Sequence, residues 1–315
     1  MINWGIIGAG RIAHRFANAF ANDNTSCLYA TSNRTMEKAK QFQALHHSKI
    51  AYDSFDAIIN DENIEAIYIA LPHYYHYEYI KKALLANKKV LVEKPATISL
   101  AQMEEVAKLA KDKQVLLMEA MKTRFVPAYQ KLNQLIDDGI IGEIKEIKTN
   151  FCYPGEYDPN SYLYDQKQGG CLFDLGIYNI GYIADFIEDD LKNVIVTSKK
   201  HPCGVETYLN AKLEFNTSTA IIECAMDRQG TNDLIIVGSK GTIKLTPIHR
   251  PLDLKIKLND GTNQTIHLNY LIDDFYGEIA HFNRLIIDGR YESPIMPLSQ
   301  SIKCAKILAK IKEKL

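Results

Sequence analysis

The stretch Val90-Leu91-Val92-Glu93-Lys94-Pro95 decides the fold. Three β-favouring apolar residues in a row read as a strand covered on both faces, as at the centre of a parallel sheet. The run stops at a charged pair. Pro95 fixes its own φ and pushes Lys94 toward extended backbone. A lysine is thereby expected at the carboxyl end of a sheet strand, where open α/β sheets take their ligands.

On both sides of that strand the same unit repeats. Upstream, residues 66–70 form a buried strand that runs into Leu71-Pro72-His73-Tyr74-Tyr75-His76, with a helix over 77–86. Downstream, Ser99 opens a helix with Gln102 completing a capping box, and 115–120 is a further strand. Earlier come a strand at 27–31, a helix at 38–45, and a short helix over 53–60 begun by an Asp cap. Strand–helix alternation of this kind predicts a doubly wound parallel sheet, an α/β Rossmann arrangement.

The chain begins with a strand at 2–7, followed by Gly8-Ala9-Gly10-Arg11-Ile12-Ala13 and a helical pattern over 14–21. This is G-x-G-x-x-A between a strand and a helix. Gly8 permits the tight turn, Gly10 lets a pyrophosphate approach the backbone, and Ala13 lets the helix pack close to the sheet. The helix N-terminus faces the anion. Dinucleotide sites selective for NAD place an acidic residue after the second strand to bond the ribose 2′-hydroxyl. Here Ser32-Asn33-Arg34 stands in that place. No carboxylate repels a 2′-phosphate and a guanidinium is at hand to pair with it, so NADP rather than NAD is the expected cofactor. His73 is expected at a strand end near the nicotinamide. His76, in the first turn of the next helix, is either a cofactor contact or a structural residue. A metal site would need further ligands beside this pair.

After residue 122 the pattern changes. An amphipathic helix over 126–137 stops at Asp138-Gly139. Strand-like stretches follow at 144–151, 193–197, 207–215, 220–225, 234–237, 243–245, 254–258 and 265–268. One helix, 170–186, interrupts them, and helices at 274–287 and 300–312 close the chain. The expected division is a dinucleotide domain over 1–122 and a substrate-binding and oligomerisation domain over 123–315. The second is α+β, with a large, mostly antiparallel sheet. Such a sheet needs its open face covered, so a homodimer or homotetramer through it is expected.

Of 315 residues, 46% are hydrophobic and 24% charged, and the formal net charge is -1. Near-neutral charge without a basic run gives no support for nucleic acid or an anionic membrane. No apolar run is long enough to span a bilayer. The six cysteines are scattered without a Cys-x-x-Cys pair, which suits reduced thiols in a cytoplasmic protein and argues against a structural metal.

Several segments together resemble one family, the glucose–fructose oxidoreductase, inositol dehydrogenase and rhizopine-catabolism (Gfo/Idh/MocA) oxidoreductases. They are Trp4 to Ala13, Glu93-Lys94-Pro95, Glu119-Ala120-Met121 with Thr123-Arg124-Phe125, and Gly169-Gly170 with Asp174-Leu175-Gly176-Ile177-Tyr178. Within the family the chain is most similar to the dimeric dihydrodiol dehydrogenase and NADP-dependent D-xylose dehydrogenase branch, on Ser32-Asn33-Arg34, Met121 with Thr123 to Phe125, and Tyr178. Much of the wider family has histidine at the place of Tyr178. Lys122 stands where the branch often has tryptophan. The resemblance implies hydride transfer between NADP and a hydroxyl carbon of an aldose, polyol or diol. It also implies a cofactor set of Gly8, Gly10, Arg11, Ile12, Ser32, Asn33, Arg34, Leu71, His73, His76, Glu93, Lys94 and Arg124.

For the chemistry, Asp174 and Tyr178 are four apart and so share a helix face. Tyrosine is a poor base at its free pKa of ~10, but a lysine ammonium close by lowers it. Tyr178 is therefore the expected proton acceptor, if the domains bring Lys94 beside it as activator and substrate-oxygen ligand. Asp174 is expected to bind a substrate hydroxyl. Lys94 carrying the proton itself is the alternative, and a dinucleotide-binding regulator of the same fold is the alternative function.

Overall fold

A computed structural model of the chain describes residues 1–20 and 23–315. They divide into two compact units, Met1–Phe125 with Leu271–Ile302, and Val126–Tyr270 with Lys303–Leu315.

In the first unit six strands form one parallel sheet in the order β3-β2-β1-β4-β5-β6. The strands are β1 (Ile2–Ile7), β2 (Ser26–Ser32), β3 (Ile50–Tyr52), β4 (Ala66–Ile69), β5 (Lys89–Glu93) and β6 (Leu117–Ala120). The order reverses between β1 and β4, which places the ligand crevice at their carboxyl ends. Helices α1 (Arg11–Phe20), α2 (Met36–His46), α3 (Phe55–Asn60), α4 (His73–Leu85) and α5 (Leu100–Lys113) supply the crossovers. Central strands are apolar on both faces: every residue of β4 is buried, as are Val90 to Glu93.

Several local details differ from expectation for identifiable reasons. The short β3 was not foreseen, because three half-buried residues carry no period. α1 begins at Arg11, three residues earlier than its apolar pattern, directly on the glycine turn. Of the helix expected over 14–21, Ala21 lies outside the described residues. α3 is capped by Ser54, whose hydroxyl accepts from the Ala57 N–H, and not by Asp53. α4 starts at His73 directly after Pro72, where an aromatic and histidine run hides the helical period. Ser99 accepts from the Gln102 N–H, but the Gln102 side-chain oxygen has no partner, so only half of the capping box forms.

A boundary at 122/123 assigns all that follows to the sheet domain, whereas residues 271–302 are counted with the first unit. The ties are long-range and therefore invisible to local pattern. Helix α8 (Tyr276–Ile287) brings Asn283 against β1, where it accepts from the Trp4 indole N–H at 2.9 Å and donates to Ser26 Oγ. Trp4, with no exposed surface, packs among Phe16, Phe20 and Phe282 at centroid distances of 5.1–5.8 Å. Full burial of one such ring is worth roughly 1.5–3 kcal/mol.

In the second unit eight strands form one sheet in the order β14-β13-β12-β11-β7-β10-β9-β8. They are β7 (Ile144–Cys152), β8 (Asn193–Lys200), β9 (Glu206–Glu214), β10 (Thr219–Ala225), β11 (Leu234–Gly238), β12 (Gly241–Thr246), β13 (Asp253–Leu258) and β14 (Asn263–His267). All pairings are antiparallel except β7 with β10. Strands alternate between buried and partly exposed positions, as a sheet covered on one face requires. Helices α6 (Pro127–Asp137) and α7 (Ile177–Phe186) and the end of α9 (Leu298–Lys312) belong to this unit. α7 packs on β7 and β10, and Lys303 donates to the carbonyls of Ala184 and Ile187 at its C-terminus, where the helix dipole favours a cation. Among the described residues no helix is long and apolar enough to cross a membrane.

Candidate active site

The turn after β1 shows what each glycine is for. Gly8 has φ +99°, and a Cβ there would lie 2.5 Å from the Ala70 carbonyl oxygen, so both backbone and packing demand glycine. Gly10 differs. A Cβ there would meet no described atom within 4 Å. Its missing side chain leaves space at the start of α1, the approach that a pyrophosphate on a helix N-terminus needs.

That space opens into a cleft of about 500 Å³ at the carboxyl ends of β1, β2 and β4. Five residues of the expected cofactor set line it: Gly8, Gly10, Asn33, Arg34 and Leu71. Arg11 and Ile12 are the first two residues of α1. Ser32 is fully buried and donates to the Ile6 carbonyl, so its hydroxyl faces the sheet and not the cleft. Lys38 joins Arg34 on the wall, and neither cation has an ion-pair partner among the described residues. Lys38 is a residue of α2 whereas Arg34 precedes the N-cap Thr35, so no helical spacing in the sequence marks the two as neighbours.

The lysine turn lies at the end of β5. Lys94 is 9% exposed and its bond to Pro95 is cis. Three buried side chains hold this turn. Glu93 accepts from the Lys94 N–H and from the Tyr68 hydroxyl. Glu119, at the end of β6, accepts from the Ala96 N–H at 2.9 Å. His76 Nδ1 lies 2.9 Å from the Pro95 carbonyl oxygen, and Nε2 lies 2.7 Å from that of Leu71. Burial pushes the His76 pKa down to about 4, against the pull of both carbonyls. At neutral pH the ring is therefore uncharged, with one N–H for two acceptors. That N–H can bond only one of the two carbonyls at a time, Pro95 in the lysine turn or Leu71 on the cleft wall. Burial pushes both Glu93 and Glu119 up, opposed by the Tyr68 hydroxyl and Lys94 at the first and by the Ala96 N–H and Arg124 at the second.

Others of the expected set lie around this turn. His73, 4% exposed, opens α4 with its ring 5.8 Å from that of His76. Arg124 is 3% exposed and donates to the Ile295 carbonyl at 3.0 Å. Lys122 is folded inward onto Asp274, which also binds Arg15, and both cations lie 4.6 Å from the Phe275 ring centre. Among the described residues no group of three or more His, Cys, Asp or Glu side chains is placed to hold a metal.

In the second unit, Gly169 and Gly170 donate to the Asp165 and Leu163 carbonyls, which stitches the 153–168 loop to the start of the helical segment. That segment is not the continuous helix expected over 170–186. Leu172–Gly176 is a π-helical turn, and α7 follows it. Such single wide turns are frequent at functional sites. The half-buried Asp174 sits in the π turn. Tyr178, 7% exposed, lies in the first turn of α7 with its ring edge-on to Phe151 at 5.7 Å.

The parallel sheet, the glycine turn and the cleft define a unit fit to bind NAD or NADP. Comparison with known proteins agrees. Residues 2–121 match the family described as "Oxidoreductase family, NAD-binding Rossmann fold", and 129–244 match the "GFO/IDH/MocA C-terminal domain". The chain belongs to the Gfo/Idh/MocA oxidoreductase family. It is 29% identical to trans-1,2-dihydrobenzene-1,2-diol dehydrogenase from Xenopus laevis, over 99% of this chain and 97% of that protein. Identity to the Mus musculus enzyme of that name is 27%, over 98% and 95%. A 3-ketoreductase from Actinomadura kijaniata, solved with NADP and TDP-benzene, superimposes with a TM-score of 0.90 at 26% identity, covering 99% of this chain and 97% of that one.

Proposed function

We propose that the protein is an NADP-dependent dehydrogenase that moves a hydride to or from a hydroxyl-bearing carbon of a sugar, polyol or diol. The observation that carries this reading is a lysine held by three buried side chains at the end of β5, next to β4, whose end forms part of the dinucleotide cleft. Gly8, Gly10 and the N-terminus of α1 would hold the pyrophosphate, with Arg34 and Lys38 on the 2′-phosphate. Bound NADP(H) supplies the hydride acceptor or donor. Tyr178 takes or returns the hydroxyl proton, Lys94 favours the alkoxide and lowers the tyrosine pKa, and Asp174 binds a neighbouring hydroxyl. The relatives named for a diol and the ketoreductase support that substrate class. A panel of aldoses, polyols and diols offered with NADP⁺ and read by NADPH absorbance tests it. No turnover anywhere in the panel, with tight NADP(H) binding, would favour the regulator.

The cofactor choice has its own test. A charge-assisted contact contributes roughly 1.5–3 kcal/mol, so Arg34→Ala should weaken NADP(H) by about tenfold or more. Lys38→Ala should act in the same direction, and NAD(H) affinity should barely change for either. Equal losses for both cofactors would make these cations structural.

We also propose a homodimer or homotetramer through the uncovered face of the second sheet. Ile221 of β10 and Ile235 of β11 flank Lys148 there, and Ile195 of β8 is 52% exposed. Light scattering at micromolar concentration should show the larger species, and a monomer throughout would rule the arrangement out. The six cysteines are all free thiols, which supports a reducing, cytoplasmic setting.

A further inference from the structure

Glu278 lies in the first turn of α8 with no exposed surface, and neither carboxyl oxygen has a hydrogen-bond partner among the described residues. The other buried carboxylates nearby are provided for. Glu93 accepts from Tyr68 and from the Lys94 N–H, and Asp274 accepts from Lys122 and Arg15. The charged groups that act on Glu278 are Glu93 from β5, Lys122 from the turn after β6, and Asp273 and Asp274 from the lead-in to its own helix. Arg15 of α1 and Tyr68 of β4 stand one bond further out, on Asp274 and Glu93.

A carboxylate without a donor is the costliest thing to bury, and such a group neutralises rather than stay charged. Glu93 has the donors that favour an anion and Glu278 has none. We infer that Glu278 is a neutral carboxylic acid at neutral pH, and that the carboxylate charge beside Lys94 is carried by Glu93, which has the hydrogen-bond donors. Burial first, and the Glu93 charge second, push the Glu278 carboxyl well above its ordinary range, in keeping with this. Glu278 is then a positioning residue that acts through Glu93, keeping a second negative charge from the lysine. Only this consequence rests on the role proposed for Lys94; the protonation itself does not.

The sign of the pH effect follows. An acid with a raised folded pKa adds stability that is whole below its unfolded pKa and is lost as pH climbs through the folded value. Wild-type protein should therefore lose melting temperature as pH climbs from the ordinary carboxylate range toward the raised folded value. Glu278→Gln should melt higher than wild type at the alkaline end and show a flatter profile. Parallel profiles would mean that Glu278 is already ionised in the folded state, and the inference would be wrong. If the glutamine variant does not fold, wild-type protein labelled at glutamate carboxyl carbons gives the same answer by NMR. One buried carboxyl should remain protonated at neutral pH; finding all of them ionised overturns the proposal. The location of the charge is read from the pH dependence of Lys94 acylation by acetic anhydride, followed by mass spectrometry. Glu278→Gln should leave that profile in place and Glu93→Gln should move it to lower pH, whereas the reverse pattern would put the charge on Glu278. None of these readouts uses a substrate, so their failure is separable from failure of the dehydrogenase reading.

Discussion

Tyr178→Phe is expected to lower turnover by about 10²–10⁴, the range of a positioned acid–base group, while folding and NADP(H) affinity survive. The substitution keeps the ring that packs edge-on to Phe151 and removes only the hydroxyl. Lys94→Met should also lose turnover. In whatever alcohol oxidation remains, the acid limb of its pH profile should move upward, since in the proposed chemistry the base without the Lys94 ammonium returns toward its free pKa of ~10. The double variant should be little worse than either single one, because residues that act as a unit are not additive. Separate measurement of NADP(H) binding and kcat distinguishes these effects. Near-normal kcat in Tyr178→Phe, with none in Lys94→Met, would make the lysine the proton carrier.

What was legible in the sequence follows one division. Elements with a strong period or a continuous apolar run were found, among them five of the six parallel strands and all eight strands of the second sheet. β3 was missed because its three residues carry no pattern. The glycine turn was legible residue by residue, since Gly8 and Gly10 serve separate physical needs that a local motif encodes. The ionic environment behind Lys94 was not. Glu119 was visible as part of a motif, but its bond to Ala96 joins neighbouring strand ends. Glu278 sits in the first turn of a helix, where an acid is ordinary on the surface, and nothing local marks that turn as buried. Lys122, which stands where the branch often has tryptophan, is turned onto Asp274, 152 residues away. The π turn at Leu172–Gly176 had no signal either, because one extra residue in a turn leaves the apolar pattern of 170–186 nearly intact.

The second large effect is expected at Glu119, which touches no reacting atom in the proposed chemistry. Glu119→Ala leaves the buried Ala96 N–H without its acceptor, a cost of about 1–3 kcal/mol. It also frees one of the three ties on the lysine turn. A shift of about 1 Å in a reacting group can cost on the order of 10² in rate, so kcat should fall by about that factor. NADP(H) affinity should change little, because the glycine turn and the Arg34 wall are untouched. Glu119→Gln retains an oxygen that can accept the same hydrogen bond and should recover most of the lost kcat. A purely structural role would show instead as a lowered melting temperature, with kcat per folded molecule intact in both variants. In that event Glu93 and His76 hold Lys94 without help from β6.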